Sequence, residues 1–265
     1  MDPSQILCYK NIRICNFRIF FIHISYLSSK PEQPCIRCIS SSYQLNSILV
    51  EKFHVPASDA NRSTTTFLQS FVSCPHNPEY DIAEWRTLLW TQALQEYANI
   101  AGEVYSTWLI LRYKYLALSA DVISLLKKLR RTFTLALITN GTSSSQWEKI
   151  HCLKLRSYFD CLLVSGDLPW EKPNKNIFLQ ACEILQVRPE NCVMVGDKLE
   201  TDILGGKEAR LAATVWISGP ESPRAFQFQP DFTLASVLEL PRLLPLRTPS
   251  LPDIDDLNSN SSDGS

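Results

Sequence analysis

Apolar runs that stop abruptly at small polar residues mark the C-terminal half of this chain. Leu135-Ala136-Leu137-Ile138 ends in Thr139-Asn140-Gly141, and Val193-Met194-Val195 ends in Gly196-Asp197. A strand buried on both faces of a parallel sheet has this pattern when its carboxyl end opens into a site. Strands are predicted at 134–139, 161–165, 192–195 and 213–217, the last being the final parallel strand. Helical periodicity fills the gaps. Ser119 is an N-cap candidate, and Val122, Leu125, Leu126 and Leu129 follow on one apolar face. Ser143 and Gln146 fit a capping box that opens a helix running through Ile150. Further helices are expected at 177–185 and from about Thr201. Alternating strands and helices predict an α/β fold with a Rossmann-like parallel sheet.

Upstream the period changes. Gln44 to Leu118 reads as helical, with Trp85, Leu88, Leu89, Leu94, Tyr97 and Ile100 at three-and-four spacing and Tyr105, Trp108, Leu109 and Tyr113 continuing it. These aromatics are read as core, with roofing of a crevice as the alternative. Pro75 and Pro78 break the pattern ahead of Trp85. Near the amino end, Arg18 to Ile24 is β-branched and aromatic and reads as a strand. The expected organisation is an atypical amino-terminal segment at 1–30, a helical cap at 31–118 and a Rossmann-like core at 119–240. A Pro-rich, then Asp/Asn/Ser-rich tail at 241–265 is expected to be disordered.

Composition narrows the function classes. The 265 residues are 45% hydrophobic, enough for a sizeable core, and 26 basic against 27 acidic residues leave a net charge of −1. No basic field points to nucleic acid or a membrane surface. The longest apolar run near the amino end, Ile19 to Ile22, is far short of the ~20 residues of a membrane span. That end has no acidic residue between Asp2 and Glu32, so a transit peptide is a minority reading. Nine irregularly spaced cysteines fit reduced thiols in a cytoplasmic protein better than a disulfide framework. Cys35-Ile36-Arg37-Cys38 is a lone pair without the second half of a zinc frame.

The candidate chemistry lies at the strand ends. A hydroxyl (Thr139), an ammonium (Lys172) and two carboxylates (Asp197, Asp202) would converge there. Such a set suits a phosphate and a divalent cation. Carboxylates and phosphate oxygens are magnesium's preferred partners, and a lysine supplies a point charge to a phosphoryl group. Asp202 carries two expectations, ligation of the metal (directly or through a bound water) or fixation of Lys172; as a bare first-turn acid it would also suit a helix start.

These residues resemble the haloacid dehalogenase superfamily: a strand ending in Thr139, Glu171-Lys172-Pro173, and Gly196-Asp197 followed by Asp202. The resemblance is dense from Ser119 to Pro241 and looser over Val50 to Leu118, which corresponds to a substrate-selecting helical cap. It implies Mg2+-dependent hydrolysis of a sugar phosphate, at its narrowest the 9-phosphate of an N-acylneuraminate. It also implies that Thr139, Asn140 and Lys172 bind the phosphate, that Thr139 and Lys172 are catalytic, and that Asp197 and Asp202 serve the metal. One departure is large. The family's first strand ends Asp-x-Asp-x-Thr, and its first Asp is the nucleophile. Here Ile22-His23-Ile24-Ser25-Tyr26 occupies that place, and the one Asp-x-Asp, Asp253-Ile254-Asp255, sits in the polar tail. A weakly active phosphatase and a non-catalytic phosphate-binding protein are therefore both open. Dehalogenase or phosphomutase chemistry is the third reading. A smaller departure is Arg210, where relatives end the helix with glycine.

Overall fold

The computed structural model describes residues 19–22, 34–73, 81–218 and 229–244. Six strands, β1 (Ile19–Ile22), β2 (Thr134–Thr139), β3 (Cys161–Val164), β4 (Cys192–Gly196), β5 (Ala213–Ile217) and β6 (Phe232–Leu234), form one sheet. Their order is β3-β2-β1-β4-β5-β6 and every pairing is parallel. This is a doubly wound arrangement, and it reverses direction between β1 and β4, where such sheets open a crevice. The sheet carries one more strand than expected downstream. Beyond Ala213–Ile217, Phe232–Leu234 pairs with β5 as a three-residue edge, too short to show a period.

The amino-terminal strand lies at the centre. Ile19 to Ile22 runs between β2 and β4, with Ile22 level with Leu137 on one side and Val195 on the other. Alternation along the strand sends the two described side chains to opposite faces. Ile22 joins Leu137, Val195, Val215 and the apolar face of α5 (Ala120–Arg130). Phe21 joins Ala136, Ile138 and Met194 under α7 (Lys175–Ile184) and meets Phe178 edge-on at 6.2 Å. Arg18 and the segment from His23 to Ser29 lie outside the described residues.

Between β1 and α5 the described chain is helical: α1 (Pro34–Glu51), α2 (Ala57–Ser73), α3 (Ile82–Leu94) and α4 (Ala101–Leu116), with a tight turn over Gln95–Ile100. Phe67 stacks on Trp90 at 3.8 Å and meets Trp108 edge-on at 5.1 Å. Leu89, Leu94 and Trp108 are buried as expected, but Leu88 is 47% exposed because it turns to the solvent side of α3. Cys35 and Cys38 fall on α1, and Pro75 and Pro78 lie outside the described residues.

Local signals place the remaining helices. Ser119 Oγ accepts from Val122 N, capping α5, and Asn174 caps α7 by accepting from Asn176 N. α6 (Ser143–Cys152) follows β2 but has Thr142 as its N-cap, without the expected capping box. After β4 comes one wide turn, Leu199–Ile203, leading into the short α8 (Leu204–Glu208). Arg210 sits at φ 54°, the left-handed region that glycine occupies most readily. Part of the tail expected to be disordered from Pro241 is structured, because Val237–Leu243 forms a tight helical turn anchored by buried Val237 and Leu240, and residues 245–265 lie outside the described residues. No described helix is long and apolar enough to cross a membrane.

The central seat of β1 is testable through Phe21. Phe21→Ala empties a fully buried site under α7 and should lower unfolding free energy by about 3–5 kcal/mol, read by urea denaturation. A loss near zero would mean the strand is not seated there.

Candidate functional site

β2 ends at Thr139, and β4 delivers Asp197 as the first residue after Gly196. The register places Ile22 level with Leu137 and Val195, two residues short of both. Lys172 arrives from the loop between β3 and α7. Its Nζ donates to Ile138 O at 2.9 Å and to Asp202 Oδ1 at 2.6 Å, and both side chains are essentially fully buried. Asp202 Oδ2 accepts the backbone N–H groups of Asp197 and Lys198, each at 3.1 Å. Of the two expectations for Asp202, these contacts describe the fixation of Lys172. Burial lowers the Lys172 pKa, opposed by Asp202 and then Asp197, so Asp197 acts electrostatically on the same ammonium. Gly196 is required here, since a Cβ would collide with the Asp202 carboxyl at 2.3–2.4 Å.

Thr139 is 1% exposed and donates from Oγ1 to Gln146 Oε1 at 3.0 Å. Gln146 is thus a site residue that sequence reasoning assigned to a capping box. Its side chain turns toward the strand end because Thr142, not Ser143, begins the helix. Asn140 clasps the Lys172 backbone, donating to Lys172 O at 2.8 Å and accepting from Lys172 N at 2.9 Å. Those contacts make Asn140 a clamp on the lysine loop. Ser165 Oγ, also missed, accepts from Gly141 N at 3.0 Å. Asp160 ties the sheet's far end, accepting from Leu135 N at 3.0 Å and from Arg130 Nη2 at 2.7 Å.

The arrangement gathers an ammonium and a hydroxyl at adjacent strand ends, with α6 starting beside them. A phosphate monoester suits such donors. Magnesium fits less well. Asp197 brings one carboxylate, Asp202 is engaged by Lys172, and Ile22 brings none. Among the described residues no group of three or more His, Cys, Asp or Glu could hold a metal. The described residues therefore supply only part of the magnesium set that the resemblance implies, Asp197 first among them.

A further lysine borders this site. Lys149 Nζ lies 3.4 Å from Gln146 Oε1. Burial depresses its pKa from 10.5 to about 8, with Arg112 and Arg86 adding to the effect and Glu148 opposing it.

Two outcomes follow from this geometry. Breaking the buried pair by Lys172→Met or Asp202→Asn should each cost about 3–5 kcal/mol. Lys172→Met with Asp202→Asn should cost clearly less than the sum of the two single changes, in a double-mutant cycle by urea denaturation; strict additivity would contradict direct pairing. For Lys149, the unfolded chain binds more protons than the folded one between its folded value of about 8 and its unfolded value of 10.5. Stability should therefore rise with pH across that window, the penalty being complete below it. Lys149→Met should flatten this rise and be the more stable protein at pH 7; equal slopes for the two proteins would contradict it.

The haloacid dehalogenase-like hydrolase family matches residues 48–210. N-acylneuraminate-9-phosphatase of Rattus norvegicus is 42% identical over 178 residues, covering 64% of this chain and 72% of that protein. The Homo sapiens enzyme of the same name is 43% identical over the same length and shares. Among solved structures, a haloacid dehalogenase-superfamily hydrolase from Bacillus subtilis bound to magnesium superposes with TM-score 0.54 at 20% identity, covering 87% of this chain and 99% of that one, which speaks for the fold alone. With a family match across both the helical block and most of the sheet, the chain belongs to the haloacid dehalogenase-like hydrolases.

Proposed function

We propose that this chain is a phosphomonoester hydrolase of the N-acylneuraminate-9-phosphatase kind, acting on a sugar phosphate and most narrowly on N-acylneuraminate 9-phosphate. The observation that carries the reading is the Lys172–Asp202 pair. It holds an ammonium in a desolvated place at the strand ends, beside the Thr139 hydroxyl. In this reading Lys172 and Thr139 bind the phosphoryl oxygens and stabilise charge as it develops. Asn140 holds the lysine loop, and Asp197 is the carboxylate facing a magnesium ion. Magnesium, when bound, would neutralise phosphoryl oxygens. Reduced thiols and a balanced charge fit a cytoplasmic setting and a small-molecule substrate.

A second reading is favoured by one specific observation. Ile22 is fully buried and apolar at the end of β1. An isoleucine cannot attack phosphorus or bind a metal, so hydrolysis by this chain is weak or absent while phosphate binding persists.

Phosphate release from N-acetylneuraminate 9-phosphate, followed with and without magnesium, tests both readings. The first reading expects the unaltered chain to turn the ester over; the second expects it to bind the ester with turnover near background. Ile22→Asp with Ile24→Asp should raise magnesium-dependent release by at least ~100-fold, the scale set by supplying a missing nucleophile. Rapid turnover by the unaltered chain would refute Ile22 as the nucleophile position. A folded double variant with no gain would refute the assignment of this strand end.

A further inference from the structure

A second group of cations lies where the helical block meets the sheet domain. Arg86 on α3 is fully buried. Its Nη1 donates to Glu148 Oε2 on α6 at 2.6 Å, while its Nε is buried with no hydrogen-bond partner. Arg112 on α4 also carries a buried Nε with no partner. Both guanidinium groups lie over the same two rings. Arg86 is 5.9 Å from the Phe71 centroid and 5.6 Å from that of Trp108; Arg112 is 5.0 and 5.2 Å from them. Two like charges are thus held against one pair of aromatic rings, which meet edge to face at 68°.

Among the described residues, three cations (Arg86, Arg112, Lys149) are grouped around one paired carboxylate, Glu148, in a place largely shielded from water. Burial and the Arg86 charge lower Arg112, and Arg112 in turn lowers Lys149. Lys198, in the turn after Asp197, adds to the positive field at Lys149. Crowding desolvated cations is costly unless an anion joins them. Guanidinium groups with open donors suit a planar carboxylate, which each can grip through parallel N–H bonds. The group also touches the phosphate side of the site. Gln146 Oε1 lies 3.4 Å from Lys149 Nζ and accepts from Thr139 Oγ1 at 3.0 Å.

We propose that Arg86, Arg112 and Lys149 form an anion subsite between the helical block and the sheet domain, and that it takes a carboxylate carried by the substrate in addition to its phosphate ester. The inference extends the phosphatase reading above, because it supposes that one ligand spans both groups. In it Glu148 is a positioning residue that holds Arg86 in place, and Phe71 and Trp108 both lie against the two guanidinium groups. The subsite selects sugar acids over neutral sugar phosphates.

Titration calorimetry on the full chain at pH 7 tests it, with three probes: sodium N-acetylneuraminate, its uncharged methyl ester, and inorganic phosphate. N-acetylneuraminate should bind, and the methyl ester should bind at least about tenfold more weakly, as loss of charge-assisted bonds requires. Arg112→Gln and, separately, Lys149→Gln should weaken N-acetylneuraminate by a similar factor and leave inorganic phosphate affinity unchanged, with circular dichroism confirming the fold. Two variants on different elements keep the test alive if one fails to fold. Equal binding of acid and ester, or unchanged N-acetylneuraminate affinity in both variants, overturns the proposal. So does an equal loss of phosphate affinity in the variants, which would make the cations part of the phosphate site. Failure of inorganic phosphate to bind, with N-acetylneuraminate still binding through Arg112, would instead count against the phosphatase reading and leave the carboxylate subsite standing.

Discussion

The ion pair between Lys172 and Asp202 is the constraint on which the strand ends depend. The pair joins three separate pieces of chain: the loop that carries Lys172, the end of β2 where Ile138 O accepts from Lys172 Nζ, and the backbone after Gly196, whose N–H groups donate to Asp202. A buried pair is seldom a net source of stability, since removing two charges from water costs several kcal/mol per ion. Its value lies in geometry. The ammonium is held in one place at a strand end, and the tight turn at Asp197 is held open by the same carboxylate. Gly196 completes the arrangement, because any side chain there would occupy the space of the Asp202 carboxyl.

The sheet order sets where that geometry is presented. β1 lies between β2 and β4, and the reversal of winding falls beside it. Thr139 and Asp197 therefore stand at the ends of the two strands that flank β1, each two residues beyond the position level with Ile22. A hydrophobic strand suffices to complete the sheet, since Phe21 and Ile22 bury one side chain on each face. If Ile22 stands at the nucleophile position, as the second reading proposes, the fold accepts isoleucine where hydrolysis would need a carboxylate. Packing and chemistry make separate demands on this strand, and these residues satisfy the first.

Much of this was legible in the sequence where a signal is local and repeated. The runs 134–139 and 213–217 are the observed strands, and Ser119 caps the helix it precedes. Thr139, Lys172 and Asp197 were identifiable because small polar or charged residues interrupt or follow buried strands in a fixed order. The failures are equally physical. Phe232–Leu234 is three residues long, and no period can be read from it. Gln146 stands three residues after a serine, a spacing shared by a capping box and by a side chain reaching back to the preceding strand; only the true N-cap, Thr142, separates the two. Leu88 fits the same helical spacing as Leu89, but only one of them can face the core.

The cations at the helical block were the least legible, for a reason of topology. Arg86, Arg112 and Lys149 come from α3, α4 and α6, and nothing in their spacing links them. In sequence each is an ordinary surface-type residue on an amphipathic helix. They become neighbours only because the aromatic core of the helical block draws α3 against α4, and because Glu148 reaches Arg86 across the boundary with the sheet domain. The contact that unites the two parts of the chain is therefore itself a charged, water-poor surface next to Gln146 and Thr139. An inserted cap that merely covered a crevice would be expected to meet it with apolar or solvated residues. Placing two guanidinium groups there, with only one carboxylate opposite, makes the boundary between block and sheet a place where an acidic ligand is favoured over a neutral one.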